Sequence, residues 1–476
     1  MRLKQRQVLA RWAKGHRPQV ATSTTRLMDM FTFYLQAAGV FKLLATFPDR
    51  RLRRTIGIYF FATSLLFKAI LKAHAYEALP SRLFSNTRLL KQLGFNLRQI
   101  EHGFSRKGNQ RPFDVESLLN ALRLLAPEEL HQWYIEQVIP FLTRTLPWPP
   151  PFLLLDTIPV LVDPKAKRAF PGASWGYLRT KDGKEEYGFG YQVVVLGVPI
   201  GRQRCGVLAA QVRGLAVADL DAGRDLLAAV LAAHPDLLRG LPLLMDRAFL
   251  DAQWLATLKQ AHGIDAVLPL KANMDLLDFM RALVTHEEQP AWEPVPDRPR
   301  RRLCFLDQLE DWGGHQVPLV GCFIEDQPAS GGAPRHWGLV TPRLSLASGR
   351  AIYDQYRQRW TIEEGFSQLR KLSEFDRLTV PDLGVITAQL LCECLAHTLA
   401  MGFLEELGQD YEEIGARRLR YDLLAQPTVV VVEIGDAYAL LTPDEFNRHL
   451  EENLQVMAAR QRRERARDGP ALARQA

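Results

Sequence analysis

Three carboxylates occupy places where a carboxylate is expensive. Asp156 interrupts the apolar run FLLLDTIPVLV, and Asp246 ends the apolar run LPLLM just before Arg247. Glu363 lies in YRQRWTIEEGF, Tyr356 to Phe366. Read as one helix at about 100° per residue, that segment puts Tyr356, Arg359, Glu363 and Arg370 within an arc of roughly 60°. Ile362, Phe366 and Leu369 fall beside the arc, so Glu363 sits at the margin of the face that should be buried. Glu364 points about 100° away, and Lys371 is displaced from Arg370 by as much.

Each group alone has a structural use. Asp156 can end a strand as a turn or cap, Asp246 can pair with Arg247, and Arg359 with Glu363 is an i,i+4 ion pair. Together they fit a reaction. An unpaired buried charge is costly and is relieved by a counter-charge, a proton or a metal. Hard divalent cations prefer carboxylate oxygens. Three carboxylates meeting in one cleft suit two Mg²⁺ or Mn²⁺ ions about 4 Å apart, which activate water or a sugar hydroxyl on one side of a phosphodiester and stabilise the leaving oxygen on the other.

The elements that must position these groups are readable in outline. Residues 1–148 carry apolar positions at helical spacing, as in FTFYLQAAGVFKLLATF, and predict an all-α N-terminal domain that ends at LPWPPP. Beyond it, FLLLDTIPVLV, YGFGYQVVVLGVPIG and CGVLAAQVRG read as strands, followed by a helix from Asp219, LPLLMDRAF, a helix from Asp251 and the strand DAVLPLK. That order predicts an α/β core with a mixed sheet over 149–271 and 336–405. Between its halves, 272–335 reads as an inserted β subdomain built from RRLCFLDQLEDW and QVPLVGCFIED, with HWGLVTPR following. Residues 406–476 read as a helical C-terminal region with a basic tail and one possible strand, TVVVVEIG.

At 476 residues the chain has room for several cores. Its net charge of +7 favours polyanionic partners. Five scattered cysteines lack metal-ligand spacing and fit a reducing compartment. The apolar stretches Tyr59 to Leu71 and Gln389 to Leu404 are short and interrupted by Lys68 and Glu393, which reads as buried helix rather than membrane span. No cleavable signal segment is evident at the amino terminus.

The spacing of Tyr356, Arg359 and Glu363 resembles the Y-R-E-K signature of bacterial insertion-sequence DDE transposases of the insertion-sequence-4 group. LLLDTIPV and LLMDRAF resemble the family's two aspartate motifs. The resemblance implies a ribonuclease-H-like catalytic core with a β insertion. It implies Asp156, Asp246 and Glu363 as catalytic ligands of two Mg²⁺ or Mn²⁺ ions, with Tyr356, Arg359, Arg370, Lys371 and Arg247 on DNA phosphates. Arg370 stands where the family has lysine; arginine keeps the charge and can grip a phosphate bidentately. Trp337 in HWGLVT has two readings, stacking on a flipped base as in hairpin-forming members, or packing against the insertion. Element ends and target DNA are the implied partners, a homodimer on paired ends the implied active form, and the bacterial cytosol the implied location. The rivals are a metal-dependent nuclease without strand transfer, a transposase-derived DNA-binding protein without catalysis, and a sugar hydrolase using two carboxylates.

Overall fold

The computed structural model describes residues 2–472 except 17, 22–25, 72, 105–111, 164, 166–169, 180–184, 202–203, 287–289, 310–311, 313–316, 330, 374, 376, 409–410, 412–413, 416–417, 420–429 and 442. The chain divides into two compact units, one of residues 1–41, 53–118 and 414–476, the other of 42–52 and 119–413.

The first unit joins both ends of the chain. Helices such as Arg26–Ala38 and Ile58–Ile70 carry its buried apolar side chains. Strands β1 (Arg2–Leu3) and β2 (Gln19–Ala21) are completed by β13 (Val430–Ile434) and β14 (Ala437–Leu441), in the order β1-β14-β13-β2. The amino-terminal region is therefore not all-helical, and the possible strand in TVVVVEIG is real within the described Val430–Ile434. Strands this short form only because their partners arrive from the far end of the chain, where Trp12, Val432, Ala439 and Leu441 share one apolar cluster. Arg88 ties this unit together by pairing with both Asp29 and Glu433 at 3.4 Å.

The second unit is built on a mixed sheet. Its strands are β3 (Leu153–Leu161), β4 (Ser174–Arg179), β5 (Glu185–Ile200), β6 (Arg204–Gly214), β7 (Pro242–Met245), β8 (Asp265–Pro269), β9 (Trp292–Val295), β10 (Arg298–Leu309), β11 (Leu319–Asp326) and β12 (Arg335–Thr341). Among the described residues the order is β4-β5-β3-β7-β8-β12-β11-β10-β9, with β6 paired to β5. β3, β7 and β8 are mutually parallel, and β5 lies antiparallel to β3. Helices cover both faces. A Cβ on Gly197 would meet Ile362 Cδ1 at 3.2 Å, placing the helix Trp360–Ser373 on one face. A Cβ on Gly223 would meet Leu155 Cδ2 at 3.1 Å, placing the helix Asp219–Ala233 on the other. The helix Leu383–Glu406 is long and apolar enough to cross a membrane, but its side chains from Gly384 to Leu404 are buried in this unit.

Two expected boundaries move. Helices between 127 and 145 belong with the sheet, because His131 accepts the Val212 N–H at 3.0 Å and Tyr134 donates to the Val207 carbonyl at 3.4 Å. The segment expected as a separate β insertion instead widens the main sheet, through β12 against β8 at Val340 and Leu268. It also contains a helix, Asp275–His286, whose Leu276, Leu277 and Met280 are buried.

Candidate active site

Asp156 and Asp246 are brought together by strand register. Leu155 of β3 pairs with Met245 of β7 in parallel, so Asp156, within β3, and Asp246, just past the end of β7, follow side by side. Asp246 starts a turn in which its carboxylate accepts the Arg247 N–H at 2.6 Å. The Asp156 carboxylate likewise accepts the Thr157 N–H at 2.8 Å. The contact described between Asp246 and Arg247 is thus through the backbone, and the Arg247 side chain is exposed.

Glu363 reaches this pair from the helical face, but not on one continuous helix. The helix Gly349–Arg357 ends, and the helix Trp360–Ser373 begins. Between them Arg359 N–H bonds to Tyr356 at 2.9 Å and Ile362 N–H to Arg359 at 3.0 Å, a tightened i,i+3 turn instead of the i,i+4 ladder. The single stripe expected from Tyr356 to Arg370 is therefore broken at Gln358–Arg359. Its buried edge survives: Ile362 and Leu369 are in the core, while Glu364 is exposed.

The break turns the Arg359 guanidinium onto the carboxylates. Its Nη2 donates to Glu363 at 2.6 Å and its Nη1 to Asp156 at 3.4 Å. Burial works against the charge on Arg359, but Tyr356, Asp246, Asp156 and Glu363 together hold its pKa above the ordinary value. Burial pushes the Asp156 carboxyl up to about 7; Arg359 and the Thr157 N–H oppose this, and Asp246 and Asp219 add to it. Tyr356, with Arg359 5.8 Å from its ring centroid, is pushed by burial up to about 12. One guanidinium is thus shared by more negative charge than it can neutralise.

A fourth carboxylate enters from the opposite face. Asp219, at the start of its helix, accepts the Thr157 hydroxyl at 3.0 Å. Burial raises its pKa, and the charge of Asp246 adds to the effect. Sequence reasoning passed over Asp219 because an acid in the first turn of a helix is ordinary. The hint lay in its following the strand that neighbours Asp156's partner.

The remaining expected groups divide. Arg370 Nη2 donates to the Pro159 carbonyl of β3 at 3.3 Å, farther along the same strand as Asp156. Lys371 is exposed beside it. Trp337 is engaged in packing: its Nε1 donates to Asp326 at 3.1 Å, Arg301 lies 5.4 Å from its ring centroid, and Tyr353 is 6.4 Å away. Its indole N–H is thus satisfied and one side of its ring is engaged with Arg301 and Tyr353.

The carboxylates offer only oxygen donors, the chemistry that suits a hard divalent ion, and the elevated Asp156 marks unmet demand for positive charge. Among the described residues no group of three His, Cys, Asp or Glu is arranged to hold a metal ion. Asp156 and Glu363 point their oxygens at Arg359, which supplies the positive charge in this arrangement.

No curated protein matches the chain. The family model for the transposase DDE domain matches residues 147–399, more than half of the chain and a span that contains Asp156, Asp246 and Glu363. The chain belongs to the DDE transposase family.

Proposed function

We propose that the protein is an active transposase of the insertion-sequence-4 type, which binds the ends of its own element, nicks them, and joins the freed 3′ hydroxyls to target DNA. The observation that carries the reading is the meeting of Asp156 and Glu363 on one guanidinium, with Asp246 next to Asp156 in strand register. Asp156, Asp246 and Glu363 would hold Mg²⁺ or Mn²⁺, two ions per site. When bound, such ions activate the attacking oxygen and neutralise the departing one. In each step the new O–P bond forms as the 3′ O–P bond breaks, and the proton of the attacking group passes to solvent or a site carboxylate.

The chain's own groups bind and orient the DNA. Tyr356, Arg359, Arg370, Lys371 and Arg247 would grip phosphates, and Arg359 would exchange its carboxylate partners for one of them as the ions enter. The amino-terminal helical region, expected over 1–148, would recognise the ends mainly through phosphate contacts. A homodimer on paired ends in the bacterial cytosol is the proposed working form. The ribonuclease-H-like description of the core fits the order β6-β5-β3-β7-β8, with two parallel strands beside β3.

The test uses purified protein and a supercoiled plasmid carrying the DNA that flanks the coding region. Wild type is expected to nick and linearise it only with Mg²⁺ or Mn²⁺, and Glu363→Gln to lose cutting by about a thousandfold or more. No metal-dependent cutting by wild type would refute the proposal. If Glu363→Gln still cuts and Glu364→Gln does not, the ligand role passes to Glu364. Pre-cut ends supplied with target plasmid should yield joined product; cutting without joining identifies a nuclease.

A further inference from the structure

The hairpin β4–β5 carries a run of aromatic rings that nothing in the site employs. Trp175 pairs across the strands with Phe189, and Tyr177 with Tyr187. Trp175 and Tyr187 stack at 5.1 Å with 10° between their planes, Trp175 lies 5.4 Å from Phe189, and Tyr177 lies 4.9 Å from Tyr187. The run grades outward, from buried Phe189 through half-buried Trp175 to Tyr187 at 58% and Tyr177 at 77% exposure. On the reverse side a Cβ on Gly176 would come 2.4 Å from the Leu215 carbonyl oxygen, and one on Gly188 2.9 Å from the Leu161 and Leu178 side chains. Backbone packed behind Gly176 and open rings in front make a platform.

Register places that platform on the catalytic face. Asp156 is opposite Val195, Ile158 opposite Val193, and Val160 opposite Tyr191. Directly paired residues share a face, and alternate residues along a strand keep it. Tyr191, Phe189 and Tyr187 therefore continue the face of Asp156, and Trp175 and Tyr177 lie on it through their pairing. The helix Trp360–Ser373 crosses this face in the same direction, from Glu363 near Asp156 to Arg370 at the Pro159 carbonyl. Beyond the Pro159 carbonyl the face carries Tyr191, whose hydroxyl donates to the Pro171 carbonyl at 2.7 Å, and the platform lies past it along β5. From Val195 to Tyr187 is roughly 25 Å at about 3.3 Å per residue.

We propose that Trp175, Tyr177 and Tyr187 form a stacking platform for the unpaired bases of a DNA strand leaving the carboxylates. The inference rests on the DNA-cutting reading for the identity of its ligand. Continuity with the phosphate-gripping helix favours DNA, and flat exposed rings favour bases that have left a duplex. A paired duplex hides its base faces, whereas every unpaired base offers one, so stacking needs no particular sequence. The phenolic hydroxyls at the rim keep the rings tolerable in water before the strand arrives.

The test measures binding without divalent ions, by fluorescence anisotropy, of a labelled oligothymidylate and of a blunt duplex of equal length. Tyr177→Ala with Tyr187→Ala is expected to weaken single-strand binding about tenfold or more while duplex binding changes less than about twofold. Tyr177→Phe with Tyr187→Phe should keep wild-type affinity, and a 2-aminopurine base in the oligonucleotide should be quenched by wild type and not by the alanine variant. Equal loss for both DNAs, or no loss, overturns the platform. So does a concentration-dependent dimer in sedimentation that the alanine variant abolishes without loss of single-strand binding, which would assign the surface to a second copy of the chain. Because no cutting is measured, failure here leaves the cleavage proposal standing, and failed cleavage with positive stacking leaves a single-strand-binding surface.

Discussion

Two arginines in the second unit stand among acids and a tyrosine, and they differ in how fully the charge around each is matched. Arg301 of β10 grips both oxygens of Asp326, through Nε and through Nη2 at 2.7 Å, and donates to the Tyr353 hydroxyl at 2.6 Å. Trp337 completes that cluster by donating to Asp326. One cation meets one carboxylate there, and every polar group shown in the cluster has a partner. Arg359 instead divides its donors between Asp156 and Glu363, with Asp246 and Asp219 adding charge nearby. A closed fork rigidifies. A shared guanidinium leaves a surplus of negative charge, which only an added cation or a proton removes.

The sharpest way to break the comparison is Arg301→Ala. It leaves the Asp326 carboxylate with Trp337 alone among its described side-chain donors, and should cost roughly 3 kcal/mol in denaturant unfolding while leaving Mn²⁺ binding unchanged. Lost Mn²⁺ binding in a folded variant would show that the two clusters are not separable.

An effect of pH follows from Asp156. Its folded pKa of about 7 lies above the ordinary value near 3.9 of an unfolded aspartate. Between those values the folded chain keeps a proton that the unfolded chain has lost, so this group's contribution to stability falls as pH rises from about 4 to about 7 and then levels. Asp156→Asn should therefore gain on wild type across that window, by at most about 4 kcal/mol in the metal-free protein, three pKa units at about 1.4 kcal/mol each. Parallel pH profiles of the two proteins would contradict the burial of an under-compensated carboxylate.

Much of what brings the carboxylates together is legible in the sequence because apolar runs report strands directly. FLLLD puts an acid inside a buried strand and LPLLMD puts one just past the end of another, and the parallel pairing of β3 and β7 places the two acids together. The buried edge formed by Ile362 and Leu369 is equally plain from helical spacing. The break at Gln358–Arg359 is not, because a helical wheel assumes the continuity that the i,i+3 turn removes. Ser174–Arg179 reads as loop, since its glycine and the lysines after it mask an alternation of Trp175 and Tyr177. The chain-end sheet escaped notice because β1 and β2 are too short to register without β13 and β14. Asp219 and Trp337 are hard to read for one reason: each residue type is as common in packing as in function, and only neighbours decide.

If acids from separate parts of the chain make one cation site that Arg359 screens, titrating Mn²⁺ against DNA-free protein, with the free ion followed by electron paramagnetic resonance, will show it. Asp156→Asn and Asp246→Asn should each weaken binding about tenfold or more, and Arg359→Ala should tighten it by about tenfold, since removing a competing charge exposes the same oxygens. Binding that is indifferent to Asp156 and Asp246, or that weakens when Arg359 is removed from a folded protein, would contradict it.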